Sequence, residues 1–176
     1  MISLNRILVP TEFSELATHA LRFACDLART YRAELHVLHI VSPAKEIPIA
    51  GDGGGGIGVG GMVPMESIPE VVARKSKELQ AHVAEFAGNL PVEPIALVRT
   101  GVPWLEIVRY ADEASIDLIV IGSHARGVMK RIFLGSTSKA VLEHVARPVL
   151  MVPIAAVKSE AGAADAGASA SVQAQS

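Results

Sequence analysis

DLIVIGSHARGVMKRIFLGSTSKAVLEHVARPVLMVP, residues 117–153, contains a complete strand–loop–helix–strand unit. Asp117-Leu118-Ile119-Val120-Ile121 is apolar after its first residue and reads as a strand buried on both faces. Pro148 to Pro153 (PVLMVP) is a second run of the same kind. The polar stretch from Gly122 to Arg131 predicts a loop, and Ser136 to about Ala146 predicts a helix. Two buried strands joined through a helix make a crossover unit, which belongs to a parallel sheet.

The same grammar extends towards the amino terminus. Arg6-Ile7-Leu8-Val9-Pro10 is an apolar run closed by proline and reads as the first strand. Ser14 is placed to cap a helix in which Ala17, Ala20, Leu21, Ala24, Leu27, Ala28 and Tyr31 form one apolar stripe. Glu34 to Val41 (ELHVLHIV) is the second strand, and Val92 to Arg99 the third. A helix is expected from about Ser67 to Gly88, and another after Gly101-Val102-Pro103, where proline suits the first turn. Asp117 to Ile121 is then the fourth strand and Pro148 to Pro153 the fifth. The run Gly51-Asp52-Gly53-Gly54-Gly55-Gly56 marks a flexible glycine-rich loop over about residues 42–66. The composition predicts one domain over residues 1–154 and a disordered Ala/Gly/Ser/Gln tail over 155–176.

Composition narrows the function classes. Of 176 residues, half are hydrophobic and 4% aromatic, so the core is built from aliphatic side chains. Sixteen basic residues against 18 acidic ones leave a net charge of −2, which lacks the clustered positive charge that nucleic-acid binding demands. No apolar run approaches the roughly 18 residues of a membrane span. The first residues show no secretory leader pattern, and the single cysteine, Cys25, excludes an internal disulfide. A cytoplasmic setting is the expectation. Cys25, near the apolar stripe of its helix, is expected to be a packed thiol.

In an open parallel sheet, ligands bind beyond the carboxyl ends of the strands, where the strand order reverses. Two segments have the character for such a site: Pro10-Thr11-Glu12-Phe13-Ser14, and the loop from Gly122 to Gly135-Ser136-Thr137. Free N–H groups at the helix start after Gly135 attract an anion, and Ser136 and Thr137 add hydroxyl donors. Arg126, Lys130 and Arg131 add charge. A plain surface loop ending in a Ser/Thr cap would look the same, and the spacing by itself leaves both readings open. Gly53-Gly54-Gly55-Gly56-Ile57-Gly58 contains G-x-G-x-x-G but does not tightly join a strand to a helix, and no G-x-x-x-x-G-K-S/T segment exists. His36 and His39, three apart on a strand, point to opposite faces and cannot share a metal. No Ser-His-Asp set or paired carboxylate emerges from the spacing.

The segment from Gly122 to Val152 resembles the carboxyl-terminal signature of the universal stress protein family: Gly, two residues, Gly, nine residues, Gly, then Ser or Thr, before a helix and a Pro-Val strand. Ile7-Leu8-Val9-Pro10-Thr11-Glu12-Phe13-Ser14 is similar to the family's opening, and Leu38-His39-Ile40-Val41 and Gly101-Val102-Pro103 also match. The resemblance implies a Rossmann-like α/β domain with a five-stranded parallel sheet of order 3-2-1-4-5 and helices on both faces. It also implies a homodimer paired through the fifth strand and, in one subgroup, bound ATP, with which a magnesium ion is compatible. Carried over, the nucleotide residues are Pro10, Thr11, Glu12, Ile40, Gly122, Ala125, Gly127, Gly135, Ser136 and Thr137, with Ile121 facing the same pocket. Two positions depart from the pattern: Glu12 stands where the family has Asp, and Ala125 where it has the second signature Gly, so Gly127 is read as relocating the turn. The resulting expectation is an ATP-binding regulatory module of the stress response rather than an enzyme, with slow hydrolysis left open and a protein partner unspecified. The competing expectation is a nucleotide-free dimeric interaction module of the same fold.

Overall fold

The computed structural model describes residues 4–43, 66–125, 132–133 and 135–155, by backbone alone at 124, 125, 132, 133 and 155. The glycine-rich loop, Gly127, the basic trio Arg126, Lys130 and Arg131, and the tail beyond 155 lie outside the described residues, so the expectations placed on them carry no structural account.

The expected alternation is present. Strand β1 (Arg6–Pro10) leads to helix α1 (Glu15–Tyr31) and strand β2 (Glu34–Val41). Helix α2 (Ile68–Phe86), strand β3 (Ile95–Thr100), helix α3 (Pro103–Glu113) and strand β4 (Leu118–Ala125) follow. A two-residue strand β5 (Ile132–Phe133), helix α4 (Ser136–His144) and strand β6 (Val149–Ala155) complete the order. The parallel strands run β3-β2-β1-β4-β6, which is the expected 3-2-1-4-5 order with β6 as the fifth strand.

Side-chain alternation explains why both faces are covered. Ile7, Val9, Leu35, Val37, Val120 and Val152 point to one face and pack against Ala20, Leu21, Ala24, Cys25 and Ala28 of α1 and Leu79 and Val83 of α2. Leu8, Leu38, Ile119 and Ile121 point to the other and pack against Ile107, Tyr110 and Ala111 of α3 and Val141 of α4. Cys25 is buried, as a packed thiol should be. The two strand-two histidines divide between the faces. His36 Nδ1 lies 2.7 Å from the Tyr110 hydroxyl on α3, whereas the His39 ring meets Phe13 at 4.6 Å between centroids.

Four local expectations are corrected. Tyr31, assigned to the α1 stripe, is 58% exposed: it is the last residue of the helix, and the chain turns away at Arg32 in a left-handed conformation (φ 55°). The third strand begins at Ile95 rather than Val92, since Pro94 cannot donate to a ladder. The fourth strand does not stop at Ile121. It continues to Ala125, where β6 pairs with one edge and the antiparallel β5 with the other, His124 opposite Phe133 and Ala125 opposite Ile132. The last helix ends at His144 rather than Ala146. Among the described residues no helix is long and apolar enough to cross a membrane.

Candidate functional site

The strand order reverses between β1 and β4, so the two chain segments leaving those strands must diverge and open a crevice above them. The β1–α1 turn forms one wall. Thr11 N donates to Leu38 O at 2.9 Å, extending the β1–β2 ladder by one residue. Phe13 N then donates to Thr11 Oγ1 at 3.1 Å, and Phe13 adopts φ 64°. A non-glycine residue there is strained, and strain of this kind concentrates at functional turns. Ser14 serves two partners: its Oγ accepts from Ala17 N at 3.2 Å, capping α1, and donates to Glu12 Oε1 at 2.6 Å. The Glu12 carboxylate is thereby held over the turn.

The other wall is the start of α4. Gly135 is its N-cap, in extended backbone, and a side chain there would meet nothing within 4 Å. The first intrahelical bond runs from Lys139 N to Gly135 O at 3.0 Å. The N–H groups of Ser136, Thr137 and Ser138 therefore have no partner within the helix, and the positive end of its dipole faces the crevice.

The crevice comprises two adjoining clefts. The first, about 210 Å³, is lined by Pro10, Glu12, Leu16 and Ala17 on one side and by Ile121, Gly122 and Gly135 to Ser138 on the other. The second, about 240 Å³, lies towards β2. It is lined by Pro10 to Phe13, His39, Ile40 and Ser42, with Lys75 from α2, Pro103 and Ile107 from α3, and Thr137. Pro10, Glu12 and Thr137 line both. Side by side the clefts reach the size of ordinary small-molecule sites, roughly 300–1,000 Å³. His39 Nδ1 stands 2.8 Å from Thr11 O. A carbonyl only accepts, so Nδ1 carries the proton and the ring orientation is fixed.

Of the residues singled out in the sequence, Pro10, Glu12, Ile121, Gly122, Gly135, Ser136 and Thr137 meet in the first cleft, and Thr11 and Ile40 in the second. Ala125 lies at the end of β4, its backbone paired with Ile132 and Ala155. Gly122 has a second reason to be glycine, its close approach to the Leu16 backbone. Phe13 belongs to the β1–α1 segment singled out in the sequence, whereas Leu16, Ala17, Ser138, Ile107 and Lys75 line the clefts without such a mark. Ser138 adjoins an anticipated position, and Leu16 and Ala17 lie in the first turn of α1 just beyond the Pro10–Ser14 segment, but Lys75 and Ile107 arrive only through tertiary packing. Among the described residues no group of three or more His, Cys, Asp or Glu side chains could hold a metal ion.

Comparison with known proteins places this architecture. A family model described as "Universal stress protein family" matches residues 3–53 and 58–153. The chain is 30% identical over 151 residues to universal stress protein YxiE of Bacillus subtilis, covering 84% of this chain and 98% of that one. It is 27% identical over 148 residues to universal stress protein MJ0531 of Methanocaldococcus jannaschii, covering 84% and 81%. Among solved structures, protein MJ0577 of the same organism superposes with a TM-score of 0.63 at 23% identity, covering 88% of this chain and 99% of that one. A universal stress protein in complex with cAMP gives 0.57 at 18% identity, with 86% and 98% covered. The universal stress protein from Archaeoglobus fulgidus in complex with dAMP gives 0.51 at 23% identity, again with 86% and 98% covered.

Proposed function

Because this chain belongs to the universal stress protein family, we propose that it is a regulatory module of the stress response that binds an adenine nucleotide, ATP in particular, across the two clefts. The observation that carries this reading is the start of α4. Three N–H groups without helical partners, the Ser136, Thr137 and Ser138 hydroxyls and the bare Cα of Gly135 all open onto the first cleft, a combination that suits a phosphate. The second cleft, with Ile40 and Ile107 among its walls, suits the nucleoside. The relatives crystallised with cAMP and dAMP support an adenine ligand.

A magnesium ion, if carried by the nucleotide, would supply charge neutralisation at the phosphates. Glu12 is the carboxylate that lines both clefts and would lie beside it. The same residue, engaged by Ser14, is the single acidic side chain lining the clefts among the described residues, which fits a binder with slow hydrolysis at most better than a dedicated enzyme. A cytoplasmic setting and a homodimer complete the proposal. β6 pairs only with β4 among the described strands, so its other edge is available to the same strand of a second copy.

Calorimetry with ATP tests the reading. The natural chain is expected to bind. Gly135→Val, which thrusts a branched side chain into the first cleft, is expected to abolish binding with circular dichroism unchanged. Ala125→Gly, which restores the family residue, is expected to strengthen it. No ATP affinity in either the natural chain or Ala125→Gly would sink the nucleotide reading and favour the alternative, a nucleotide-free dimer that uses the same fold for protein contacts.

A further inference from the structure

Lys75 stands on α2 and lines the second cleft together with Thr137, and its presence in the site has no counterpart in the sequence motifs. Its side chain is only 17% exposed. The Nζ sits 4.8 Å above the centre of the Phe13 ring, and that ring is presented by the residue with φ 64° in the β1–α1 turn. Two structural expenses therefore coincide here: a strained backbone that delivers the ring, and a long charged side chain ordered over it. The ammonium is otherwise engaged by Glu78 at 2.8 Å, one turn along the same helix, whose own side chain is 43% exposed. A bond to so exposed a partner is weak, screened by salt and readily exchanged.

We infer that Lys75 is a specificity-determining ligand contact, donating its N–H to an acceptor atom on the nucleoside half of the bound nucleotide. This inference rests on the nucleotide reading above. The position assigns the half: Lys75 lines the cleft shared with Thr11, His39 and Ile40, and not the one formed by Gly135 to Ser138. An ammonium has donors only, so it rewards a ring nitrogen or hydroxyl oxygen and penalises a bare apolar edge. In the empty site Glu78 competes for the same charge, so occupancy transfers Lys75 from its helix neighbour to the ligand.

The test is calorimetry on the full chain with AMP and with ATP as probes, comparing the natural protein, Lys75→Met and Glu78→Gln. Methionine keeps an unbranched apolar side chain over Phe13 and removes the donor. Lys75→Met is expected to weaken AMP and ATP by the same factor, about tenfold. Glu78→Gln, which removes the competing carboxylate, is expected to tighten both, a change that a purely structural lysine would not produce. A loss that is much larger for ATP than for AMP would make Lys75 a phosphate contact and overturn the assignment. Unchanged affinity in Lys75→Met, with the natural chain binding normally, would overturn it outright while leaving the nucleotide reading intact. No binding by the natural chain is the separate failure of that reading, and this inference would fall with it.

Discussion

The backbone of Leu16 occupies the space that a side chain on Gly122 would need: its carbonyl carbon lies 2.8 Å from the point where a Cβ would stand, and its oxygen closer still. The first turn of α1 is thus seated directly on β4. Gly122→Ala must push the helix off the strand, and a destabilisation of about 3 kcal/mol is expected from overpacking against backbone that cannot swing aside. Gly135→Ser is the contrasting case in the same signature. Its side chain enters open space and serine is a favoured N-cap, so stability should stay within about 0.5 kcal/mol. Urea midpoints of the two variants check both statements, and equal losses would contradict them.

His36 makes stability depend on pH. It is 4% exposed, and burial pushes its pKa below the usual histidine value, with Glu34 opposing the shift in part. The groups facing it are the Tyr110 hydroxyl at Nδ1 and Glu34 at 3.4 Å from Nε2, and Arg6 in turn contacts Glu34. Below 6.5 the unfolded chain takes up the histidine proton while the fold still resists it, so acidification costs stability from about 6.5 down to the depressed folded value. Below that value this residue adds no further slope. His36→Gln, which retains hydrogen-bonding capacity but does not titrate, should flatten this segment of a urea-midpoint profile. A profile identical to the natural chain's would assign the slope elsewhere.

Arg32 ends α1 in a left-handed conformation, φ 55° and ψ 37°, with its N–H bonded to Ala28 O. An L-residue there pays a steric cost that glycine avoids. Arg32→Gly should stabilise the domain by about 1 kcal/mol, raising Tm by about 2–4 °C for a chain of this size. Differential scanning calorimetry provides the measurement, and a lowered Tm would show that the arginine side chain contributes more than its backbone loses.

The proposed dimer predicts a single species of twice the chain mass at tens of micromolar in sedimentation equilibrium. Met151→Lys places a charge on β6, the device by which natural edge strands resist pairing. It is expected to shift the protein to monomer with its circular dichroism retained. A natural chain that sediments as monomer would rule out the β6 pairing.

Much of this architecture was legible because the strands are apolar without interruption. Ile7 to Val9, Leu118 to Ile121 and Val149 to Val152 announce burial on both faces, and that pattern alone demands helices above and below. The first cleft was legible for a related reason: its residues sit next to strand ends and helix caps, which local chemistry marks. Where local signals conflict or are missing, the reading slipped. Pro94 trims β3 although Val92 is β-prone, and β5 is two residues long, too short to show any periodicity. Lys75 carries no local mark at all. It is a lysine among other charged residues of α2, and only the packing of that helix against β2, β3 and the β1–α1 turn brings it to the site.

Asn5 N donates to Asp117 Oδ2 at 2.7 Å across a separation of 112 positions, and Ile7 then aligns with Leu118. During synthesis the first strand can pair with β2 early, but the edge that will receive β4 stays bare until the ribosome has passed residue 118. At about 5–20 residues per second that interval is on the order of ten seconds. Both cleft walls share this delay, since Glu12 waits for Gly135. On the proposed reading, a nascent chain therefore has no complete cleft for a nucleotide until α4 has been made.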